Sequence, residues 1–148
     1  MKWKSQYATG IRNIDQQHRE IVDFITQFEN LSEDKAVWHE AHPLILRTKV
    51  FMQFHFAVEE SLMRLLPYPD RDAHRAEHQR ELEHIADIER RMLRGDRDQD
   101  LALSMRNCLF GHIVAGDKQL AQYALGLFGP RSAAKGRGRA TRESVRFD

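Results

Sequence analysis

The sequence predicts an all-α protein, an antiparallel up-down-up-down four-helix bundle, and three observations carry that prediction. Apolar residues recur at three- and four-residue spacing in four stretches separated by turn-forming residues. No alternating apolar and polar run of the kind that marks a half-buried strand competes with them. The connections between the stretches are short, which favours antiparallel neighbours around a common interior.

In the first stretch Ile14, His18, Ile21, Ile25 and Phe28 step by four and three, predicting a helix near 14–30 with Asn13 as its cap and Ser32 to Asp34 as the connection. The second runs from Pro43, a residue suited to a first turn, through Leu44, Thr48, Phe51, His55, Val58, Leu62 and Leu65, and stops at Pro67. Residues 35–42 are ambiguous. Tyr68, Pro69 and Asp70 form a turn, after which His74, His78, Leu82, Ile85, Ile88 and Met92 mark a third helix ending at Gly95. The fourth is expected from about Asp98 to Leu127, closed by Gly129 and Pro130. Residues 1–130 thus form the expected bundle. Residues 131–148 have too few apolar side chains to pack and are expected to be a disordered basic tail.

Composition sets further bounds. A chain of 148 residues with 41% hydrophobic and 30% charged positions fits one domain with a sizeable core. The formal charge of +1 conceals an uneven distribution. The tail holds six basic and two acidic residues, leaving 17 basic against 20 acidic in residues 1–130. A mildly acidic folded part gives no field for nucleic acid or an anionic membrane, so neither partner is expected. A lone cysteine, Cys108, rules out an intramolecular disulfide and cysteine-based zinc or iron–sulfur sites, and suits a reducing cytoplasm. The start MKWKSQYATG has no apolar signal core, and no stretch approaches the roughly 20 apolar residues that span a bilayer, so neither an export signal nor membrane insertion is expected. Gly-rich phosphate loops and GxSxG elbows are absent, which leaves nucleotide binding and serine hydrolysis without a foothold.

The histidines are the anomaly. Five of the eight lie on or beside the apolar stripes. His55 and Glu59 are four apart, as are His74 and His78, so each pair projects from one helix face at a separation that can share a metal. His18 stands alone among Ile14, Ile21 and Ile25. On the fourth helix His112 and Asp117 are five apart, a rotation of about 140° in a regular α-helix, which predicts a poor pairing and different metals for the two. His112 would then join His74 and His78 on one ion, His18 and His55 would hold the second, and Glu59 and Asp117 would span both. Imidazole with carboxylate suits iron in either oxidation state. Such a set leaves one coordination position open to a small ligand.

Left without a metal, five imidazoles and two carboxylates at core positions would cost roughly 2–7 kcal/mol per unpaired polar group. The other three histidines, His39, His42 and His84, adjoin polar residues and are expected outside the site. Glu81 and His84 form an ExxH spacing, but a ferritin-like centre needs two such motifs, so this pair is assigned to a solvated face.

The strings IRNIDQQH, HFAVEESLM, YPDRDAHRAEH and HIVAGDK resemble those of the hemerythrins and bacteriohemerythrins, in the family's order and intervals, from about Trp3 to Tyr123. The resemblance implies a four-helix bundle with two irons per chain, joined by an oxo or hydroxo bridge. One iron takes His74, His78 and His112, the other His18 and His55, and Glu59 and Asp117 bridge. It also implies reversible O2 binding at the five-coordinate iron, both irons supplying electrons, and hence an oxygen carrier or store rather than an enzyme. Reversibility needs a dry pocket, for which Ile21, Phe51, Phe54 and Ile113 are the expected lining. Two positions depart from the family's pattern. Cys108 stands where Trp is frequent and Leu120 where Tyr is frequent, and the smaller Cys108 predicts a cavity or channel beside the site.

Two other functions share the same ligands. One is a sensor of O2, NO or redox state acting through a partner. The other is an enzyme handling peroxide, NO or ferrous iron, which the histidine-rich ligand set disfavours. Zinc is a poorer candidate, since structural zinc takes four ligands in a closed tetrahedron.

Overall fold

A computed structural model describes residues 1–33, 38–95 and 99–128, and among these every regular element is helical. The rods are α1 (Arg12–Glu33), α2 (Ala41–Leu65), α3 (Arg71–Leu93) and a fourth made of α4 (Gln99–His112), a π-helical turn (Ile113–Asp117) and α5 (Lys118–Phe128). Short 3-10 turns precede α1 at Ser5–Tyr7 and α2 at Trp38–Glu40. Neighbouring rods pack in a ring, α1 on α2, α2 on α3, α3 on α4 and α4 back on α1, as a four-helix bundle requires. The expected tail, its closure at Gly129 and Pro130, and the start of the fourth helix at Asp98 lie outside the described residues.

The helix ends follow local chemistry with two corrections, the first being that α1 runs on through Ser32 to Glu33, residues expected in the connection. Asn13 is not the cap of α1. The Asp15 carboxylate folds back instead, accepting from the Thr9 N–H and hydroxyl at 2.6 and 2.7 Å and from the Gly10 N–H at 3.2 Å. Thr9 Oγ1 in turn accepts from the Ile11 N–H at 3.1 Å, so two side chains tie down the segment that leads into α1, where Asn13 was expected as the cap. At the end of α2, Leu66 turns extended ahead of Pro67, whose ring clashes with a helical predecessor. Helix α3 ends as Gly95 takes φ +96° and its N–H bonds the Met92 carbonyl at 2.9 Å, a conformation that needs glycine.

The main apolar cluster joins all four rods: Phe28 and Ile25 from α1, Leu44, Ile45 and Met52 from α2, Ile85 and Ile88 from α3, Leu101 and Met105 from α4. Each such side chain stabilises the fold by about 1.5–3 kcal/mol relative to exposure. A smaller cluster of Met63, Tyr68 and Leu120 closes the other end of the interior. The N-terminal arm lies over α1 and α4, tied by the Met1 ammonium to Glu29 at 3.0 Å and by Tyr7 edge-on to Phe110 at 4.9 Å. No described helix is long and apolar enough to cross a membrane.

Candidate metal centre

Between the two apolar clusters the interior is polar. His18, His55, Glu59, His74, His78, His112 and Asp117 are all buried, and their ligand atoms fall into two groups that could each hold a metal ion. One group is His74, His78 and His112, the other His18 and His55, with Glu59 and Asp117 common to both. Regular helix spacing explains the contributions of α2 and α3, because residues four apart share a face, and α1 adds the single His18.

The fourth rod departs from expectation. His112 immediately precedes the π-helical turn and Asp117 is its last residue, and the turn's i→i+5 bonding brings residues five apart onto one side of the rod. Their predicted poor pairing is therefore overturned. His112 Nε2 lies 2.7 Å from Asp117 Oδ1, the shortest approach in the cluster. The same turn packs Gly116 so closely that a Cβ there would meet His74 Cε1 at 3.1 Å and Glu77 Oε2 at 3.2 Å.

The carboxylates divide their oxygens between the groups. Asp117 Oδ1 faces His112 and, at 3.7 Å, His74, while Oδ2 faces His18 at 2.9 Å and His55 at 3.3 Å. Glu59 Oε2 lies 3.1 Å from His74, 3.2 Å from His78 and 3.8 Å from His112, with His55 at 4.0 Å. Burial and Asp117 push the Glu59 carboxyl up, but the surrounding imidazoles of His112, His74 and His78 outweigh them and hold it below the usual carboxylate range. Burial likewise opposes ionisation of Asp117, and His112, His18 and His55 hold it well down. His112 is raised well above an ordinary imidazole, because Asp117, Glu59 and Glu81 outweigh its desolvation.

The donor set fits a metal pair on the structure's own terms. Glu59 Oε1, Asp117 Oδ1 and the Nε2 atoms of His18 and His112 are buried without a hydrogen-bond partner. Orphaned groups of this kind carry a desolvation cost that coordination removes. Acceptors stand behind several imidazoles: Gln17 Oε1 at 2.9 Å from His55 Nδ1, Glu60 Oε1 at 3.3 Å from His78 Nδ1 and Glu81 Oε1 at 3.3 Å from His112 Nδ1. Acceptors in that position orient imidazoles towards a metal, though His112 Nδ1 makes no hydrogen bond here.

Of the expected apolar lining, Ile21 and Ile113 are fully buried in the main cluster and Phe51 is partly buried against it. Phe54 is a correction. It is 54% exposed, in a surface groove with Phe24, Leu46 and Val50, because it lies one position before His55, on the outward side of α2. Phe56 takes the part expected of Phe54. It stacks on His78 at 4.0 Å and meets His112 and His55 at 5.4 and 5.6 Å. The signal for it was the buried row Met52, Phe56, Glu59 and Met63 on α2.

Glu81 is the second correction, for it is not on a solvated face. Its side chain is 12% exposed, and burial pushes the carboxyl up to about 8 despite the neighbouring His112. Its ExxH partner His84 bonds Ser104 and, like His39 and His42, stands apart from the cluster. A pocket of about 540 Å³ does open beside Cys108, bounded by His74, Glu77, Glu81 and His112, as the small residue predicted. Leu120 is fully buried in the smaller apolar cluster.

A helical bundle whose four rods converge buried imidazoles and carboxylates on a common point defines a class of metal-binding bundle proteins. Within that class the chain belongs to the hemerythrin family, since the family description "Hemerythrin HHE cation binding domain" matches residues 9–124. It is 30% identical over 122 residues to a bacteriohemerythrin of Stenotrophomonas maltophilia (strain R551-3), covering 80% of this chain and 78% of that protein. A Pseudomonas aeruginosa (strain LESB58) bacteriohemerythrin is 30% identical over 117 residues, 78% of this chain and 75% of its own. One from Methylococcus capsulatus is 27% identical over 124 residues, 80% and 92% of the two chains. No solved structure gives a significant match.

Proposed function

We propose that His18, His55, Glu59, His74, His78, His112 and Asp117 hold a pair of iron ions and that the protein binds O2 reversibly, as a carrier or store. The observation that carries the proposal is the division of the Asp117 carboxylate, one oxygen to His112 and the other to His18 and His55, which is the arrangement a bridging ligand needs. Membership of a cation-binding family supports a metal, and seven donors in two linked sets favour iron over structural zinc, which takes four ligands in a closed tetrahedron. Bound ferrous iron would supply the electrons that O2 takes up and returns.

The chain's own residues supply the rest. The His18 and His55 side offers one imidazole fewer than the other, so a small ligand finds its place there. Phe56 screens His78, His112 and His55 from water, and Ile21 and Ile113 extend the dry wall. Gln17 and Glu60 fix two of the rings through Nδ1, leaving Nε2 to face inwards.

The test is anaerobic reconstitution with ferrous iron followed by cycles of O2 admission and removal. Two irons per chain and a visible absorption band that appears with O2 and disappears on deoxygenation are expected. Irreversible bleaching accompanied by turnover of peroxide or NO would replace the carrier with an enzyme.

A further inference from the structure

The cluster is approached from three sides, and they differ in charge. Over His18 lies the N-terminal arm, with the Trp3 ring 6.2 Å away and Arg19 over that ring. Beside His78 a groove exists, but Phe56 is stacked on the imidazole and Arg75 neutralises Glu60 at 3.3 Å. The third side is the pocket next to Cys108, which contains Asp70, Glu77 and Glu81 and no lysine or arginine among its lining residues.

Its carboxylates are graded in depth. Asp70 is exposed at the rim and receives Gln119 Nε2 at 3.1 Å. Glu77 comes next, its side chain 44% exposed, with Oε2 3.9 Å from Nδ1 of both His74 and His112 and Oε1 4.0 Å from the exposed Arg80. Glu81 is innermost, with its Oε2 buried and unpartnered. Ala73, Gly111, Ala115 and Gly116 make up much of the remaining wall, so nothing bulky from them stands in front of the imidazoles. An independent observation points the same way. The His112 side chain is 1% exposed, yet its Nδ1, directed at Glu77 and Glu81, has no hydrogen-bond partner.

We propose that this pocket is the uptake route for a divalent metal cation, with Glu77 capturing the hydrated ion at the mouth and Glu81 relaying it past His112 to Glu59 and Asp117. Carboxylate oxygens are ligands that hydrated divalent cations take alongside water, and a cleft lined by one sign of charge raises the local cation concentration. The rings of His74 and His112 stand 5.0 Å apart between centroids, so passage requires them to swing aside. No hydrogen bond at Nδ1 holds the His112 ring from behind against that movement, unlike His55, which Gln17 holds there.

The inference rests on the metal-pair reading, and its test separates the two. Metal-free protein is mixed anaerobically with ferrous ion, and uptake is followed by quenching with a chelator that reports the iron still free. Wild-type protein that takes up no iron would end the metal-pair reading itself. If iron is taken up, Glu77→Gln should slow uptake by about tenfold or more while leaving the final iron content unchanged, and Glu81→Gln should slow it at least as much and also lower the final content, because Glu81 stands behind His112. Added salt should slow the wild type more than either variant. Asp72→Asn with Glu83→Gln, two carboxylates lining the groove beside His78, should leave the rate as it was. Wild-type rates in both pocket variants, or a slowing confined to the Asp72 and Glu83 pair, would overturn the route while leaving the metal site standing.

Discussion

The two halves of the bundle interior are built on opposite principles. Towards the α1–α2 connection the core is apolar, filled by Phe28, Leu44, Ile45, Ile88, Leu101 and Met105, and the buried Thr48 hydroxyl there is satisfied by the Leu44 carbonyl at 2.9 Å. Towards the α2–α3 connection the same four rods converge five imidazoles and two carboxylates, several of whose atoms lack partners. The first half stabilises itself by burial. The second carries a polar cost that a bound metal offsets, so the two should respond differently to mutation and to metal.

The largest effect is expected from Asp117→Ala, which removes the one carboxylate whose two oxygens face both groups. Iron binding should be abolished at both positions, measured as metal content per chain, while helical circular dichroism persists because the apolar half is untouched. Phe28→Ala is the converse. Deleting this fully buried ring should cost about 3–5 kcal/mol in denaturant unfolding, yet leave two irons per folded chain. Iron loss in that variant would mean that the halves are not separable.

Gly116→Ala sharpens the boundary. The added methyl would press on His74 and Glu77 at 3.1–3.2 Å, and overpacking of this kind costs about 1–3 kcal/mol. Weaker iron binding is expected together with a loss of that size in metal-free unfolding free energy, because the methyl displaces His74, a residue of the polar half.

Cys108 tests the pocket between the halves. Burial and the adjacent Glu81 push its thiol up to about 12, so alkylation in the folded protein should be slow at pH 7 and still rising beyond pH 9. In urea it should regain ordinary thiol reactivity. Phe54→Ser should change least, by less than about 0.5 kcal/mol and without altering O2 retention, since the ring is on the surface. A marked loss of reversible O2 binding in this variant would return Phe54 to the pocket.

Most of the fold was legible in the sequence, and the reason lies in periodicity. Ile14, His18, Ile21, Ile25 and Phe28 repeat at helical spacing, and breakers such as Pro67 and Gly95 stand where the rods end. The pairs His55 with Glu59 and His74 with His78 were legible for the same reason. Asn13 was misassigned because Asp15, the fourth residue of α1, reaches back to Thr9 and Gly10, a contact that preference for cap residues does not encode. Glu81 was misassigned because its spacing to His84 describes α3 alone, whereas its burial depends on α4 lying against it. Phe56 and Phe54 are two positions apart on one helix, and which of them turns inwards was decided by where α3 and the fourth rod sit.

The sequence by itself determined that four amphipathic helices form and that histidines and carboxylates ride on their apolar stripes, since both follow from local spacing along a regular helix. Only the tertiary structure decided how His112 meets Asp117, because regular α-helical rotation separates them and a single π-helical turn, read from the folded backbone, brings them to 2.7 Å. The division of the Asp117 oxygens between two sets of imidazoles was likewise decided there, because it depends on the relative placement of all four rods and no segment carries that information alone.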